Sequence, residues 1–151
     1  MDVLLIDHRP RHAAALRGVM TEAFWQVHMQ CVYTVSAAVQ AAREARSLDL
    51  MVLQLEMPEW RDIEALTHIR SEVPWIRILA VSSTEDFGLA AAALKAGAVG
   101  CIPDTLSTFA KAAAIRFMVE ADGIYAPSPE FLRQPRRNQV ITPPPKQASP
   151  S

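Results

Sequence analysis

Six polar residues that end or closely follow aliphatic runs have the types and spacing of a chemical site. They are Asp7, His8, Gln54, Glu56, Ser82 and Asp104. Three are carboxylates and one is an imidazole, and such groups together could bind a divalent metal ion. Gln54 differs from the others, because an amide oxygen is a poor nucleophile and carries no charge to hold a cation. Covalent chemistry at position 54 is therefore not expected.

The chain alternates short aliphatic runs with longer alanine-rich segments, a pattern typical of βα units on a parallel sheet. Strands are predicted at residues 3–7, 27–32, 50–55, 76–82 and 99–102. Helices are predicted at residues 10–23, 34–46, 62–72, 83–97 and 107–121. Thr34 or Ser36 can cap the second helix, and Ser107 the fifth. The stretch from Ser83 to Asp86 resembles a capping box for the fourth helix.

Five parallel strands joined by right-handed crossovers have few possible arrangements. We therefore predict an α/β fold, a flavodoxin-like doubly wound five-stranded parallel sheet in the order 2-1-3-4-5, with helices on both faces. Its crevice lies at the carboxyl ends of the first and third strands, where the six polar residues should meet. The same order places Cys31 and Cys101 on opposite edges, too far apart for a disulfide.

Length and composition indicate one domain with a sizeable core, since the chain has 151 residues and 50% of them are hydrophobic. The domain that contains this core is predicted at residues 1–125, followed by a proline-rich basic tail or linker, expected to be disordered, at residues 126–151. A net charge of -1 gives no broad attraction to nucleic acid or anionic membrane. No signal peptide or membrane span is evident, so a cytoplasmic protein is expected.

Four stretches carry a resemblance to a known family, and they occur in the family's order and spacing. They are residues 4–10, 49–58, 78–83 and 96–101. Through them, residues 2–125 resemble the receiver domains of two-component response regulators. Asp104-Thr105 and residues 114–116 and 123–125 further resemble receivers that precede a LuxR-type helix-turn-helix.

The resemblance implies that the phosphorylation chemistry of the family is lost. Receivers are phosphorylated on an aspartate at the end of the third strand, and Gln54 occupies that position. The family has a pair of acidic residues after the first strand, the second of which binds Mg²⁺. Asp7 and His8 match this pair, and a hard ion that prefers oxygen gains little from an imidazole.

Three further positions depart from the family. Its lysine after the fifth strand aligns with Asp104, its aromatic switch residue with Cys101, and a glycine after the third strand with Asp62. Besides Asp7, only the hydroxyl of Ser82 keeps its type. The resemblance thus predicts a pseudo-receiver with a vestigial phosphoacceptor pocket, no catalytic residues, no cofactor and no bound metal.

Several roles remain open for individual side chains. Gln54 could be an ordinary core residue, and Asp104 could cap a helix beginning at Thr105. His8 could face solvent, or pair with Asp104 across the crevice in place of the family's aspartate–lysine contact. A transition-metal site formed by Asp7, His8, Glu56 and Asp104 is a weaker possibility. Trp60 could cover the emptied pocket or mark a partner surface.

Three functions follow from different classes of protein. The first is a phosphorylation-independent signalling and protein-interaction module, not an enzyme, that acts either alone or as the N-terminal part of a transcriptional regulator. The second is a phosphorelay receiver with another acceptor, such as Glu56 or Ser83. The third, a flavodoxin-like cofactor protein or enzyme, is disfavoured because residues 8–11 lack the glycines and hydroxyls of a flavin phosphate loop.

The expected partner is a protein, or a second copy bound through the fourth helix, fifth strand and fifth helix, as in related receivers. No membrane partner is expected. Ile141-Thr142-Pro143 faintly resembles the opening of a LuxR-type DNA-binding domain. Because the chain contains no such helix pair, direct binding to nucleic acid is not expected.

Overall fold

A computed structural model describes residues 1–120. These residues form five strands and five helices that alternate along the chain. The strands are β1 (Asp2–Ile6), β2 (His28–Val32), β3 (Leu50–Gln54), β4 (Ile78–Ser82) and β5 (Gly100–Pro103). All are parallel and lie in the order β2-β1-β3-β4-β5. The predicted doubly wound fold and strand order are confirmed.

The helices lie on both faces of the sheet. They are α1 (Pro10–Ala23), α2 (Val35–Glu44), α3 (Glu64–Glu72), α4 (Phe87–Lys95) and α5 (Thr108–Glu120). Side chains alternate along each strand, so Leu4 and Ile6 join the core under α2, α3 and α4, whereas Val3 and Leu5 join the core under α1 and α5. β3 and β4 are buried along their whole length, as expected for central parallel strands.

Helix boundaries follow local chemistry, and several helix ends differ by a few residues from the sequence prediction. Thr34 caps α2 by accepting a hydrogen bond from the Ala37 amide, and Ser107 accepts from the Ala110 amide at the start of α5. The predicted capping box at Ser83 is wrong, because α4 begins later and its cap is Asp86. α3 also begins two residues later than predicted, at Glu64.

The two cysteines lie on the two edge strands, Cys31 on β2 and Cys101 on β5, and both are free thiols. Their predicted separation is confirmed. Within residues 1–120, none of the helices combines the length and apolar character that crossing a bilayer would require. The predicted tail lies outside the described residues.

Candidate functional site

The carboxyl ends of the strands form one polar edge of the sheet, here called the crevice. Asp7 directly follows β1, Gln54 ends β3, Ser82 ends β4 and Asp104 directly follows β5. Parallel pairing aligns these ends, since Gln54 lies opposite Val81 and Ser82 lies opposite Pro103. All six polar residues singled out in the sequence reach this edge.

Asp7 is fully buried, and both of its carboxylate oxygens are occupied. Oδ1 accepts hydrogen bonds from the backbone amide of Arg9 at 3.0 Å and from its Nε at 3.3 Å. Oδ2 contacts Nδ1 of His12, in the first turn of α1. A buried carboxylate is costly unless it is paired, and these contacts provide the compensation.

His12 joins opposite sides of the crevice. Its Nδ1 contacts Asp7, and its Nε2 contacts Oδ2 of Asp104. The predicted contact between His8 and Asp104 is wrong, because the imidazole that meets Asp104 comes from the helix and not from the loop. His8 instead has its Nδ1 3.8 Å from Asp7 Oδ1. The sequence signal that could have identified His12 is its position in a helical turn directly after the strand end.

Asp104 also contacts Lys111, which lies near the start of α5. Its Nζ donates a hydrogen bond to Oδ1 of Asp104 at 2.7 Å. Burial alone would raise the pKa of Asp104, but hydrogen bonds and positive charge from Lys111 and His12 outweigh it and lower that pKa from 3.8. Asp104 is not a helix cap, since that role belongs to Ser107. Sequence analysis missed Lys111, which lies seven residues after Asp104 and in the first turn of α5.

Gln54 is fully buried, and its amide is only partly satisfied. Its Oε1 accepts a long hydrogen bond of 3.4 Å from the Glu56 amide, and its Nε2 has no partner within residues 1–120. Such an orphaned buried donor costs free energy, so packing alone does not explain the choice of glutamine.

Glu56 links the loop after β3 to the end of β4. Its carboxylate accepts from the Ser82 hydroxyl at 3.2 Å and from the Ser83 amide at 3.0 Å. Ser82 in turn accepts from the Thr84 amide at 3.2 Å. Glu56 and Ser82 therefore both have hydrogen-bond partners within the fold.

Cys101 lies on β5 and is buried. Burial raises the pKa of its thiol to about 11, and the negative charge of Glu56 acts in the same direction. The thiol is therefore protonated and unreactive at neutral pH. Cys101 is a small core side chain at the position where the resemblance places an aromatic switch residue.

A cleft of about 320 Å³ opens beside the crevice. His8 and Glu56 form its polar side, and Trp60, Asp62 and Leu89 line the rest with neighbouring apolar residues. His8 lines this cleft, and 33% of its side chain is exposed to solvent. Within residues 1–120, no three His, Cys, Asp or Glu side chains are arranged to bind one metal ion.

Comparison with known proteins agrees with the geometry. Residues 3–110 match the response regulator receiver domain family. The chain is similar to a glycerol metabolism activator of Pseudomonas putida, with 28% identity over 141 residues that cover 91% of the chain and 63% of the relative. It is also similar to the transcriptional activator protein ExaE of the same organism, with 25% identity over 144 residues that cover 95% of the chain and 64% of the relative.

The chain thus spans slightly less than two thirds of the length of these relatives. Among solved structures, a LuxR family DNA-binding response regulator from Silicibacter pomeroyi superposes with a TM-score of 0.71 over 84% of this chain and 97% of that one. At 24% identity, this likeness shows the fold alone. Because the family match covers most of the chain and the fold and crevice agree with it, the protein belongs to the response regulator receiver domain family.

Proposed function

We propose that this receiver does not take up a phosphoryl group and acts as a signalling module through protein contacts, without enzymatic activity. The observation that carries the proposal is the buried amide of Gln54 at the end of β3. A phosphoacceptor must supply a nucleophilic carboxylate at that position, and an amide oxygen cannot.

The crevice also fits Mg²⁺ poorly. Mg²⁺ requires near-octahedral oxygen ligands and is usually held by carboxylates and water. Both oxygens of Asp7 are engaged by the cationic side chain of Arg9 and by His12. His8 offers a nitrogen beside it, and Gln54 offers an amide oxygen already bonded to a backbone amide. A cation at Asp7 would have to displace both Arg9 and His12.

Side-chain contacts join the loops of the crevice instead. His12 links the β1 side to Asp104, and Glu56 links the β3–α3 loop to Ser82. A third link joins Thr105 to Glu85, because the Thr105 hydroxyl donates a hydrogen bond to the Glu85 carboxylate at 2.7 Å. We infer that these contacts hold the receiver in one state, so that its interactions are independent of phosphorylation.

The test is incubation with acetyl phosphate or phosphoramidate and Mg²⁺, followed by intact mass spectrometry. We expect no added phosphoryl mass on the wild type. A variant that restores the family pattern, with Gln54→Asp, His8→Asp and Asp104→Lys, is the positive control. Labelling of the wild type would contradict the proposal. If Glu56→Gln or Ser83→Ala abolished that labelling, the residue concerned would be the alternative acceptor.

We further propose that the chain is the N-terminal regulatory part of a transcriptional activator. The two Pseudomonas putida relatives are named as activators, and the chain covers 63% and 64% of them. On this proposal, DNA recognition belongs to a separate region and not to the receiver. An electrophoretic mobility shift with promoter DNA tests this, and we expect no retardation by the receiver chain alone.

We propose a second copy of the chain as one partner, bound through α4, β5 and α5. Phe109 is 80% exposed on α5, and α4 presents the small residues Gly88 and Ala91, which permit close approach of helices. Sedimentation velocity should show a dimer that Phe109→Asp disrupts. Trp75→Asp, which alters an exposed aromatic residue at the opposite end of the sheet, is the matched control. A monomeric wild type would contradict the proposal.

A further inference from the structure

An aromatic groove lies outside the crevice, between the β2–α2 connection and the β3–α3 loop. Tyr33, Met57, Pro58 and Trp60 are among the residues that line it, and its volume is about 320 Å³. We call it the Trp60 groove. Tyr33 is 51% exposed, and Trp60 is half-buried against the core. The groove adjoins the cleft of the crevice, because both share Met57, Pro58 and Trp60.

The Trp60 groove is preformed. The Trp60 ring contacts the His68 ring, with centroids 5.1 Å apart and a tilt of 40°. The adjacent loop is ordered by hydrogen bonds, since the Trp60 amide donates to the Met57 carbonyl and the Arg61 amide to the Glu64 carboxylate. A groove held in place in this way loses little conformational entropy when it binds a ligand.

Negative charge predominates on the loop that borders this groove, and Glu59 lines the groove itself. The β3–α3 loop and the start of α3 carry four carboxylates against the single guanidinium of Arg61. They are Glu56, Glu59, Asp62 and Glu64. An aromatic groove with an acidic rim is complementary to a proline-rich segment that carries arginine or lysine, because proline-rich chains dock on aromatic rings and cations pair with the rim.

The chain itself contains such a segment. Residues 131–146 include four prolines, four basic residues and no acidic residue, and three of the prolines are consecutive at positions 143–145. Consecutive prolines favour the polyproline II conformation, which needs little further ordering when it binds. We propose that the tail segment, residues 131–146 of this chain, docks in the Trp60 groove.

The linking chain is long enough for this contact. Twelve residues, 121–132, separate the end of α5 from Arg133. Fully extended, they could span up to about 40 Å. The diameter expected for a 120-residue domain is about 35 Å, so the tail segment can reach the groove from its own receiver.

Fluorescence of Trp60 provides the test in the full chain. Trp25 and Trp75 are 93% and 64% exposed, so Trp25→Phe with Trp75→Phe leaves Trp60 as the only indole at little structural cost. In that background, Arg133, Arg136 and Arg137 are changed to Glu. We expect acrylamide quenching of Trp60 to rise about two-fold, because the indole is no longer covered. Equal quenching before and after the change would overturn the proposal.

A matched control reverses the charge of three exposed arginines in the receiver itself. They are Arg11, Arg17 and Arg46. This triple change to Glu should leave the quenching of Trp60 unaltered, and an equal rise would show that net charge, and not docking, governs the signal. Adding a synthetic peptide of residues 131–146 to the tail variant should restore protection. Tyr33→Ala in the same variant should prevent that restoration.

Dilution distinguishes the chain's own tail from another occupant. Docking within one chain predicts protection of Trp60 that does not depend on protein concentration. Protection that is lost on dilution, together with dimers in sedimentation, would assign the groove to the tail of a second copy and overturn the intramolecular contact. Protection that survives charge reversal of the tail would likewise exclude the tail segment.

Discussion

The two halves of the carboxyl-end edge are built in opposite ways. On the β1 and β5 side, Asp7, His12, Asp104 and Lys111 form an unbroken chain of contacts between oppositely charged groups. On the β3 side, the loop that ends near Asp62 leaves a cleft and the Trp60 groove open to solvent. The first half is closed by charge pairing, whereas the second remains accessible.

The backbone conformation also differs between the two halves of this edge. Within residues 1–120, the only non-glycine residues with positive φ are Glu59 at 72° and Asp62 at 48°, and both lie in the open half. Asp62 is also where the receiver family carries a glycine, a residue that adopts this conformation without strain. The comparison teaches that side-chain contacts close one half of the edge, whereas the other half keeps a cleft, a groove and two residues with positive φ.

The largest expected effect comes from breaking the closed half. His12→Ala should lower the free energy of unfolding by about 3 kcal/mol, because it leaves the buried carboxylate of Asp7 facing Asp104 without the imidazole between them. Urea denaturation measures the change. Arg11→Ala, on the exposed side of the same helical turn, is the control and should have little effect. A loss no larger than that of the control would show that the imidazole link is not stabilising.

A smaller loss of stability is expected when the last contact in the series from Asp7 to Lys111 is removed. Lys111→Met retains most of the aliphatic stem but removes the ammonium group bound to Asp104, and should cost about 1 to 2 kcal/mol. Lys95→Met, at an exposed position on α4, is the matched control. The same denaturation experiment serves for both. Equal effects of the two substitutions would contradict a stabilising role for the Lys111 contact.

In the open half, substitution should stabilise the protein. Glu59→Gly should raise the free energy of unfolding by about 1 kcal/mol, because glycine adopts positive φ without the penalty of a Cβ atom. Asp62→Gly should raise it less, since aspartate tolerates this region better than glutamate. Glu59→Ala keeps the Cβ atom and should show no such gain. Thermal unfolding distinguishes these variants, and destabilisation by Glu59→Gly would argue against the positive φ.

The smallest expected effect is on how the free energy of unfolding changes with pH. Because folding lowers the pKa of Asp104 from 3.8, its contribution to stability is complete above that value and is lost as pH falls through the lowered pKa. Lys111→Met moves this pKa back up, so the variant should lose less stability between neutral pH and about pH 3. Denaturation curves across this range measure the difference. A steeper loss in the variant would contradict the assigned cause of the shift.

Much of the fold could be predicted from local pattern. The strand order followed from five aliphatic runs separated by amphipathic segments, the cap at Ser107 was predicted, and Thr34 was one of two candidate caps of α2. The cap of α4 was misplaced, because Ser83, Glu85 and Asp86 all offer polar side chains and only the path of the chain between β4 and α4 selects Asp86.

Six members of the candidate site were predicted, but His12, Lys111 and the pairing of the side chains were not. Topology alone brought Asp7, Gln54, Ser82 and Asp104 to one edge, because parallel strands end together. The hypothesis that His8 pairs with Asp104 was wrong, because His12 makes that contact. Sequence spacing does not reveal which of two nearby imidazoles points across the crevice, since that depends on where α1 lies over the sheet.

The sequence by itself determined the strand order, the family resemblance and the amide at position 54, because these depend on residue type and on periodicity along the chain. Only the tertiary structure decided that His12 and Lys111 complete the crevice and that Tyr33 and Trp60 face one groove. The contact of His12 with Asp104 and the groove of Tyr33 and Trp60 bring together residues distant in sequence, and the geometry of all these contacts depends on how helices and loops pack on the sheet.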